Sequence, residues 1–339
     1  MNSAAHNTPP VAVIIPFSSW NAWVAECVEQ CSRLEGPNPE IWLLPDRPLS
    51  EETRNGLPND RLTIHIRTTG ALNPAAKRNV ALRESSAEVF ALIDSDAYPR
   101  HDWLAKGLPL LSGDVAIVAG PNLTPANDPL LRRCTGRVME SLLGFGAAYI
   151  RHRILPQRFV NEMPTCNMLI RRLPDLLFRE ELDTGEDMMY CADVRKRGFK
   201  VLYDPAVAVY HHRRTLGRAF FKQFYHYGLD KGRLSRQASG ITYPWQAFPA
   251  MLLVYVLVWS MSWTAFLRPI WRWMLSLPLL LYALLVLVES ARRCSSAPEM
   301  WMTPFAFALG HTAYGMGYLY GFFQRRMTTA KTTSSIPKP

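Results

Sequence analysis

Several signatures are missing from this 339-residue sequence, and each absence argues against a class of protein. Its six cysteines form no CxxC pair and no Cys/His zinc spacing, which excludes the common zinc modules and suits a reducing compartment. The formal net charge of +10 comes without any basic, aromatic-studded motif for RNA, so we expect no nucleic-acid partner. The arginines lie in short clusters beside apolar blocks, which favours a membrane surface and an anionic substrate.

A secretory signal is also absent from the start of the sequence. Residues 1–10 have no positively charged n-region, and the apolar run over residues 11–15 stops at Pro16, which is too short for an h-region. We therefore expect a disordered start over residues 1–10 and the first strand of the fold at Val11.

What the sequence does contain is an alternation of short apolar runs and helical segments. The runs predict strands over residues 11–15, 41–44, 62–66, 89–93, 115–119, 165–170 and 200–203. Helical spacing of apolar residues predicts helices over residues 20–34, 75–85 and 185–197. This alternation indicates an α/β domain over residues 11–240, with a mostly parallel sheet and flanking helices.

The composition changes near Pro244. Three apolar blocks follow, over residues 247–267, 273–288 and 301–323, with tryptophans and tyrosines within them and at their ends. They predict a membrane domain of two to three transmembrane helices over residues 245–325, followed by a disordered polar tail over residues 326–339. Buried helices of a soluble protein are the alternative, which three such blocks in succession disfavour. Three full spans would put the basic tail on the far side, so the alternative is that one of the blocks is re-entrant or interfacial.

Two aspartates that share one spacer follow the most central apolar run, in Asp94-Ser95-Asp96. In an open α/β sheet the ligand crevice lies outside the carboxyl ends of the strands. Two carboxylates placed there suit a hard divalent cation, Mg²⁺ or Mn²⁺, shared with the phosphates of a substrate. The alternative is a solvated Asp-Ser-Asp turn.

Two further candidates lie at other predicted strand ends and at a helix start. Asp46 follows the second strand and could accept from a base or a ribose, or it could be a turn aspartate beside two prolines. Lys77 and Arg78 lie near the start of a predicted helix, where cations and helix N-terminal amides suit phosphate. A solvated basic helix face is the alternative for this pair.

Acidic and basic residues further along complete the set. Glu186 and Asp187 open a helix, where they could be ordinary dipole partners or could supply a general base for an acceptor hydroxyl. His211 and His212 follow a predicted strand, and Arg213 comes next. One of these histidines could complete a metal site, with the arginine near a diphosphate.

In this order and spacing the sequence resembles the family 2 glycosyltransferases, which are inverting enzymes with the GT-A fold. The resemblance covers roughly residues 10–215 and rests on Val13-Ile14-Ile15-Pro16, Ala76-Lys77-Arg78-Asn79, Asp94-Ser95-Asp96 as the DxD motif, Gly185-Glu186-Asp187 with Arg195, Gly198 and Asp204-Pro205, and Val209-Tyr210-His211.

The resemblance implies a UDP- or GDP-linked sugar donor and a divalent metal, Mg²⁺ or Mn²⁺. It implies that Asp187 is the general base, that Asp46 lies near the nucleotide base, and that Asp96 and His211 (or His212) lie at the metal. The other donor-binding positions that it implies are Pro16, Lys77, Arg78, Asp94 and Arg213.

The sequence departs from the family pattern in two places. Leu44-Pro45-Asp46-Arg47-Pro48 replaces the adjacent acids and Gly-Ser that often follow the second strand. Gln223-Phe224-Tyr225-His226-Tyr227 lacks the Arg-Trp pair of the Q-x-x-R-W motif of processive polysaccharide synthases, which favours transfer of a single sugar.

These features predict a multi-pass protein of the inner (plasma) membrane with a cytoplasmic catalytic domain. It would move a sugar to a hydroxyl or phosphate acceptor, either a saccharide or a lipid-linked glycan or polyprenyl phosphate, in cell-surface polysaccharide synthesis. The main alternative is a catalytically inert, membrane-anchored nucleotide-binding subunit, which should lose the metal pair or the base. A nucleotidyltransferase would carry a Gly-rich loop after the first strand, and Pro16-Phe17-Ser18-Ser19-Trp20 has none.

Overall fold

The computed structural model describes residues 9–182, 184–235, 244–264 and 268–324. Its contacts divide the chain into two units, Met1–Arg213 and Arg214–Pro339. Residues 1–8 of the expected disordered start, and the whole expected tail over 326–339, lie outside the described residues.

The described part of the first unit contains eleven strands and seven α-helices. The strands are β1 (Val11–Phe17), β2 (Glu40–Pro45), β3 (Thr63–Ile66), β4 (Val89–Ile93), β5 (Ala97–Pro99), β6 (Val115–Ala119), β7 (Asn122–Leu123), β8 (Arg158–Val160), β9 (Asn167–Arg171), β10 (Lys200–Tyr203) and β11 (Val209–His211). The helices are α1 (Ala22–Cys31), α2 (Glu51–Asn55), α3 (Pro74–Glu84), α4 (Trp103–Gly107), α5 (Leu130–Met139), α6 (Leu142–Phe145) and α7 (Glu186–Lys196).

Eight of these strands form one sheet, in the order β3-β2-β1-β4-β9-β6-β10-β8. Neighbouring strands from β3 to β4 pair in parallel, as do β6 and β10. Strand β9 lies antiparallel between β4 and β6, and β8 is antiparallel to β10. The predicted α/β fold with a mostly parallel sheet is confirmed, and the apolar runs predicted as strands form it because both faces of the sheet are covered.

Helices cover the two faces because successive strand residues point to opposite sides. On one side Val13 and Ile15 pack with α1 and α4, which contribute Val24 and Trp103. On the other side Ile14 packs in a second cluster with residues of α3 and α7. Both α3 and α7 are therefore anchored on the same face of the sheet, and each begins near the carboxyl ends of the parallel strands.

A small second sheet brings His211 close to the aspartate pair, Asp94 and Asp96. Its order is β5-β11-β7, and β5 begins just after Asp96. In the antiparallel register His211 lies opposite Ala97, and the backbone N–H of His212 donates to the carbonyl of Asp96 at 3.0 Å. The pairing of two strands distant in sequence thus places His211 next to Asp96.

The described part of the second unit contains four α-helices: α8 (Arg218–Ser235), α9 (Phe248–Thr264), α10 (Pro269–Arg293) and α11 (Ala297–Phe323). Two stretches, Pro244–Trp263 and Pro269–Arg293, are long and apolar enough to cross a membrane. Their side chains are widely exposed, as Met261 (70%) and Leu277 (62%) illustrate, which suits contact with lipid rather than with water. Helix α11 is not among the stretches that are long and apolar enough to cross a membrane.

Glycines bring α8 and α11 into close backbone contact. A Cβ atom at Gly228 would lie 2.0 Å from the carbonyl oxygen of Tyr314, and one at Gly317 would lie 2.0 Å from that of Tyr225. Small residues four apart allow this approach between helices in membranes. Helix α8 is polar in composition but packs with the C-terminal helices, so the division at Arg214 falls earlier than the change in composition near residue 240.

We expect Gly317→Ala to loosen this helix pair. The added methyl would meet the backbone of α8, which cannot move aside as a flexible side chain can, and such overpacking costs about 1–3 kcal/mol. Thermal unfolding of the full chain in nanodiscs measures the loss. The control is Ala283→Val, which adds atoms at an exposed position of α10. Equal melting temperatures for the two variants would contradict the close approach.

Candidate active site

Arg78 of α3 connects the two acidic motifs of the first unit. Its Nη2 donates to Oδ1 of Asp94 at 3.0 Å, and its Nη1 donates to Oε1 of Glu186 at 3.1 Å. The guanidinium is almost wholly buried, with 3% of the side chain exposed. Since the fork of an arginine fits two carboxylates at fixed angles, this one residue sets the separation of the end of β4 from the start of α7.

The pKa values of the two carboxylates reflect this environment. Burial raises the pKa of Asp94, and the negative charge of Asp96 adds to the effect while Arg78 opposes it. Burial also raises the pKa of Glu186, with Asp187 adding to the effect and Arg78 opposing it. Two carboxylates with raised pKa values that share one cation are typical of functional sites.

Asp96 faces His211, which in turn is held by Arg213. Oδ1 of Asp96 lies 3.1 Å from Nε2 of His211, and Nη1 of Arg213 lies 3.1 Å from Nδ1 of the same ring. A guanidinium only donates, so Nδ1 accepts and the ring proton is assigned to Nε2, which donates to Asp96. Arg213 is buried and also donates to Thr124 Oγ1 and to the Asn122 carbonyl. Arg213 therefore orients the His211 ring through Nδ1, on the side opposite Asp96.

The predicted divalent metal can be compared with these groups. Within the described residues, no three His, Cys, Asp or Glu side chains form a metal-binding cluster. Mg²⁺ and Mn²⁺ in phosphate-binding sites commonly take one or two carboxylates and complete their shell with substrate phosphates and water. Asp96, with Asp94 beside it, offers such a donor set. His211 could join it only through Nε2, the atom that now donates to Asp96.

Asp187 lies in the first turn of α7, directly after Glu186. Its Oδ1 accepts from the backbone N–H of Met188 at 2.7 Å, and the structure gives it no ion pair within the described residues. Gly185, which precedes the helix, has φ of +81°, a left-handed conformation that glycine adopts without strain. Since Glu186 is paired with Arg78, the geometry leaves Asp187 as the carboxylate with greater freedom to take a proton.

Lys77 is the most fully engaged of the predicted phosphate-binding residues. Its Nζ donates to the carbonyls of Phe17 (2.6 Å) and Leu44 (3.2 Å) and forms an ion pair with Asp46. A lysine ammonium has three donors, and all three are used. Lys77 thus ties the ends of β1 and β2 together and positions Asp46, while Pro16 lies buried in β1 opposite Leu44. Phosphate binding by Lys77 or Arg78 stays a prediction, and would require these bonds to be exchanged.

Two asparagines of α3 hold the segment that leads into α7. Asn73 caps the helix through Ala76 N–H and donates from Nδ2 to the carbonyl of Glu180 at 2.6 Å. Asn79 exchanges two hydrogen bonds of 2.8 Å with the backbone of Phe178 and donates to Glu180 Oε1. Asn79 belongs to the motif that the sequence singled out, but its role as a clamp follows only from the fold.

His212 points away from the aspartate pair. Its Nδ1 lies 2.7 Å from Asp128 Oδ1 and its Nε2 lies 2.8 Å from Glu26 Oε2, with the indole of Trp23 stacked on the ring. Burial lowers the pKa of His212, but the two carboxylates outweigh it and the pKa lies above its usual value. Of the two candidate histidines, His211 is the one that approaches Asp96.

Residues 12–174 match the family model of Glycosyl transferase family 2. Just under half of the chain, from β1 to the residues that follow β9, is therefore similar to glycosyltransferase family 2. The matched region contains the aspartate pair and helix α3, and the predicted resemblance is confirmed.

Two curated relatives are similar to this chain. The pre-mycofactocin glycosyltransferase of Mycobacterium tuberculosis is 26% identical over 191 residues, which cover 55% of this chain and 40% of that protein. The chain thus spans less than half of that relative. A dolichyl N-acetyl-α-D-glucosaminyl phosphate 3-β-D-2,3-diacetamido-2,3-dideoxy-β-D-glucuronosyltransferase of Methanococcus voltae is 21% identical over 246 residues, covering 67% of this chain and 74% of that one.

A solved structure shares the fold of this chain. The mannosyltransferase from Pyrobaculum calidifontis, determined in complex with GDP-Man and Mn²⁺, superposes with a TM-score of 0.61 at 16% sequence identity. The match covers 93% of this chain and 88% of that chain. The predicted GT-A fold is therefore confirmed.

We expect Arg78→Lys to lower kcat by about 10²-fold, since a lysine cannot bridge two carboxylates and small misplacements of catalytic groups carry penalties of that size. The positive charge is retained, so the melting temperature should change little while kcat falls. Arg83→Lys is the matched control, because Arg83 lies on the same helix and pairs with Glu180 near the surface. An unchanged kcat in Arg78→Lys would show that the bridge does not position the site.

Proposed function

We propose that this chain is a membrane-bound inverting glycosyltransferase that moves one sugar from a nucleoside-diphosphate sugar to a lipid-linked acceptor. The observation that carries the proposal is the Arg78 bridge, which brings the acidic end of β4 and the acidic start of α7 into one site. An inert subunit would not need both groups held at a fixed separation.

The reaction assigned to the site is a single displacement. The acceptor oxygen attacks the anomeric carbon, its proton passes to Asp187, and the bond between that carbon and the diphosphate oxygen breaks as the nucleoside diphosphate leaves. Attack opposite the leaving group inverts the anomeric configuration and needs one base and no covalent intermediate. If the acceptor is a phosphate, its oxygen is already ionised and the base is needed less.

We propose that the donor lies along the carboxyl ends of the parallel strands. Asp46, fixed by Lys77, is proposed to accept from the base or ribose of the nucleotide. Asp96 and Asp94 would hold a divalent cation, with His211 and Arg213 orienting Asp96. When bound, that cation supplies positive charge to offset the charge that develops on the leaving diphosphate.

The lipid-linked acceptor and the membrane are inferred from the second unit. Support comes from the two apolar stretches and from the Methanococcus voltae relative, a transferase named for a dolichyl N-acetyl-α-D-glucosaminyl phosphate. We propose a multi-pass protein of the inner membrane with two spans, α9 and α10, and a cytoplasmic catalytic domain, since nucleotide sugars are made in the cytoplasm. Helix α11 would then lie with the basic helix α8 at the membrane surface.

A transfer assay tests the function. Membranes that contain the full chain are incubated with a panel of radiolabelled nucleotide sugars, and lipids are then extracted. We expect label in the lipid fraction with one donor, and no label with the Asp187→Asn variant. Nucleotide binding without transfer from any donor would favour the inert-subunit alternative.

Reporter fusions test the topology. Fusions after residue 240, residue 295 and the C-terminus should all report the cytoplasmic side if α9 and α10 are the two spans. A periplasmic or lumenal signal at residue 240 would refute the cytoplasmic catalytic face. A far-side signal at the C-terminus alone would show that α11 also spans.

A further inference from the structure

An apolar groove lies within the second unit, among α8, α9 and α11. Its volume is about 540 Å³, within the range of roughly 300–1,000 Å³ of pockets that bind small molecules. One stripe of α11 forms most of its wall, with one residue from each of the other helices. The apolar and aromatic lining consists of Tyr225, Leu253, Met316, Leu319, Tyr320 and Phe323.

The surroundings of the groove identify the medium on which it opens. Leu253 belongs to α9, one of the two candidate spans, and its neighbours on that helix, Met251 and Leu257, are 60% and 57% exposed. On α11 Tyr320 and Phe323 are 56% and 72% exposed. Exposed apolar surface of this extent is stable only against hydrocarbon. An occupant that enters from this side therefore has a hydrocarbon chain.

Charge at one end of the groove identifies the head group. Gln324 lines the groove and accepts from Nε and Nη2 of Arg233 at 3.0 and 2.9 Å. Nη1 of Arg233 also lies 3.9 Å from Asp230 Oδ1, and 47% of the Arg233 side chain is exposed. Helix α8 as a whole carries four cations, Arg218, Lys222, Lys231 and Arg233, against one anion, Asp230. A phosphate head group complements this end of the groove.

We propose that the groove binds the isoprenoid chain of a phosphorylated lipid acceptor, with its phosphate near Arg233. The inference rests on the proposed function, which requires such an acceptor, and it places the chain on residues of α8, α9 and α11.

Photolabelling of the full chain in nanodiscs tests the proposal without depending on catalysis. The probe is a long-chain polyprenyl monophosphate with a diazirine in its chain. We expect labelled peptides from α9 and α11 around Leu253 and Met316, and labelling at least tenfold weaker in Leu253→Trp and Met316→Trp, which fill the groove. Leu284→Trp on α10, at an exposed apolar position outside the groove lining, should label as the parent chain does.

A second variant examines the head-group end. Arg233→Gln should weaken labelling by the polyprenyl monophosphate while leaving labelling by the uncharged polyprenol unchanged. It also serves if the tryptophan variants do not fold. Labels spread evenly over α9 and α10, or equal loss with both probes, would overturn the proposal.

Competition separates the acceptor from bulk lipid. Unlabelled polyprenyl monophosphate should displace the probe, whereas phosphatidylglycerol at the same concentration should not. Equal displacement by phosphatidylglycerol would show a general lipid site and overturn the proposal. Groove labelling together with no sugar transfer to any lipid would refute the proposed function while leaving the lipid site intact. Sugar transfer without groove labelling would refute the lipid site while leaving the proposed function intact.

Discussion

Asp187→Asn should sharply slow sugar transfer to a hydroxyl acceptor while leaving the binding of the nucleotide-sugar donor nearly unchanged. The substitution is isosteric and removes only the ability to accept a proton, and a general base contributes about 10²–10⁴-fold to rate. The Met188 N–H that now donates to Asp187 Oδ1 can donate to the asparagine oxygen in the same way, so the start of α7 should persist. Single-turnover transfer measures the rate, and titration calorimetry measures donor affinity.

Glu186→Gln is the control that decides between the two adjacent carboxylates. Glu186 is paired with Arg78, so its loss should affect the position of the site more than the proton transfer. We expect a moderate loss of kcat, smaller than that of Asp187→Asn. If Glu186→Gln is inactive and Asp187→Asn turns over normally, Glu186 is the base.

Seven of the eight strands of the large sheet could be predicted from the sequence, because each is a short, mostly apolar run. Strand β8 could not, because its three residues, Arg158–Val160, are largely exposed and include an arginine. The direction of β9 could not, because residues 165–170 have the same composition whether the strand runs parallel or antiparallel. Its position between β4 and β6 depends on the path of the chain through residues 120–166, where α5 and α6 also lacked a clear pattern.

The chemical types at the site could be read from the sequence, whereas their partners could not. Lys77, Arg78 and Arg213 carry the charge that phosphate requires, and the sequence therefore predicts phosphate binding. The fold surrounds all three with carboxylates and carbonyls, and in the structure they hold Asp46, Asp94 and His211 in place. Spacing along the chain does not determine which of these acceptors a long cationic side chain will reach.

Helix α8 shows the same limit at the level of domains. Its charges make it resemble the polar part of the chain, so composition places the boundary after it. The glycines at positions 228 and 232 face the backbone of α11, nearly ninety residues away in sequence, and this contact places α8 with the C-terminal helices. Close backbone contact depends on which helices become neighbours, which a single sequence does not state.

The other large effect is expected at Asp96. Asp96→Asn keeps the shape of the side chain, and its amide oxygen can still accept from Nε2 of His211, so the fold should be retained. It removes the negative charge that a divalent cation requires. Because metal-borne charge stabilisation is worth several kcal/mol, transfer should fall by about 10³-fold.

Chelation makes the test of Asp96 specific to the metal. With the parent chain, EDTA should abolish transfer and Mg²⁺ or Mn²⁺ should restore it, whereas added metal should not restore Asp96→Asn. Asp114→Asn is the matched control, because Asp114 precedes β6 and pairs with Lys200 in an exposed position. Full activity of the Asp96→Asn variant in the presence of EDTA would mean that neither the aspartate nor a metal stabilises the leaving diphosphate. Charge compensation would then have to come from the cations of the chain, of which Arg78 and Arg213 lie nearest to the aspartate pair.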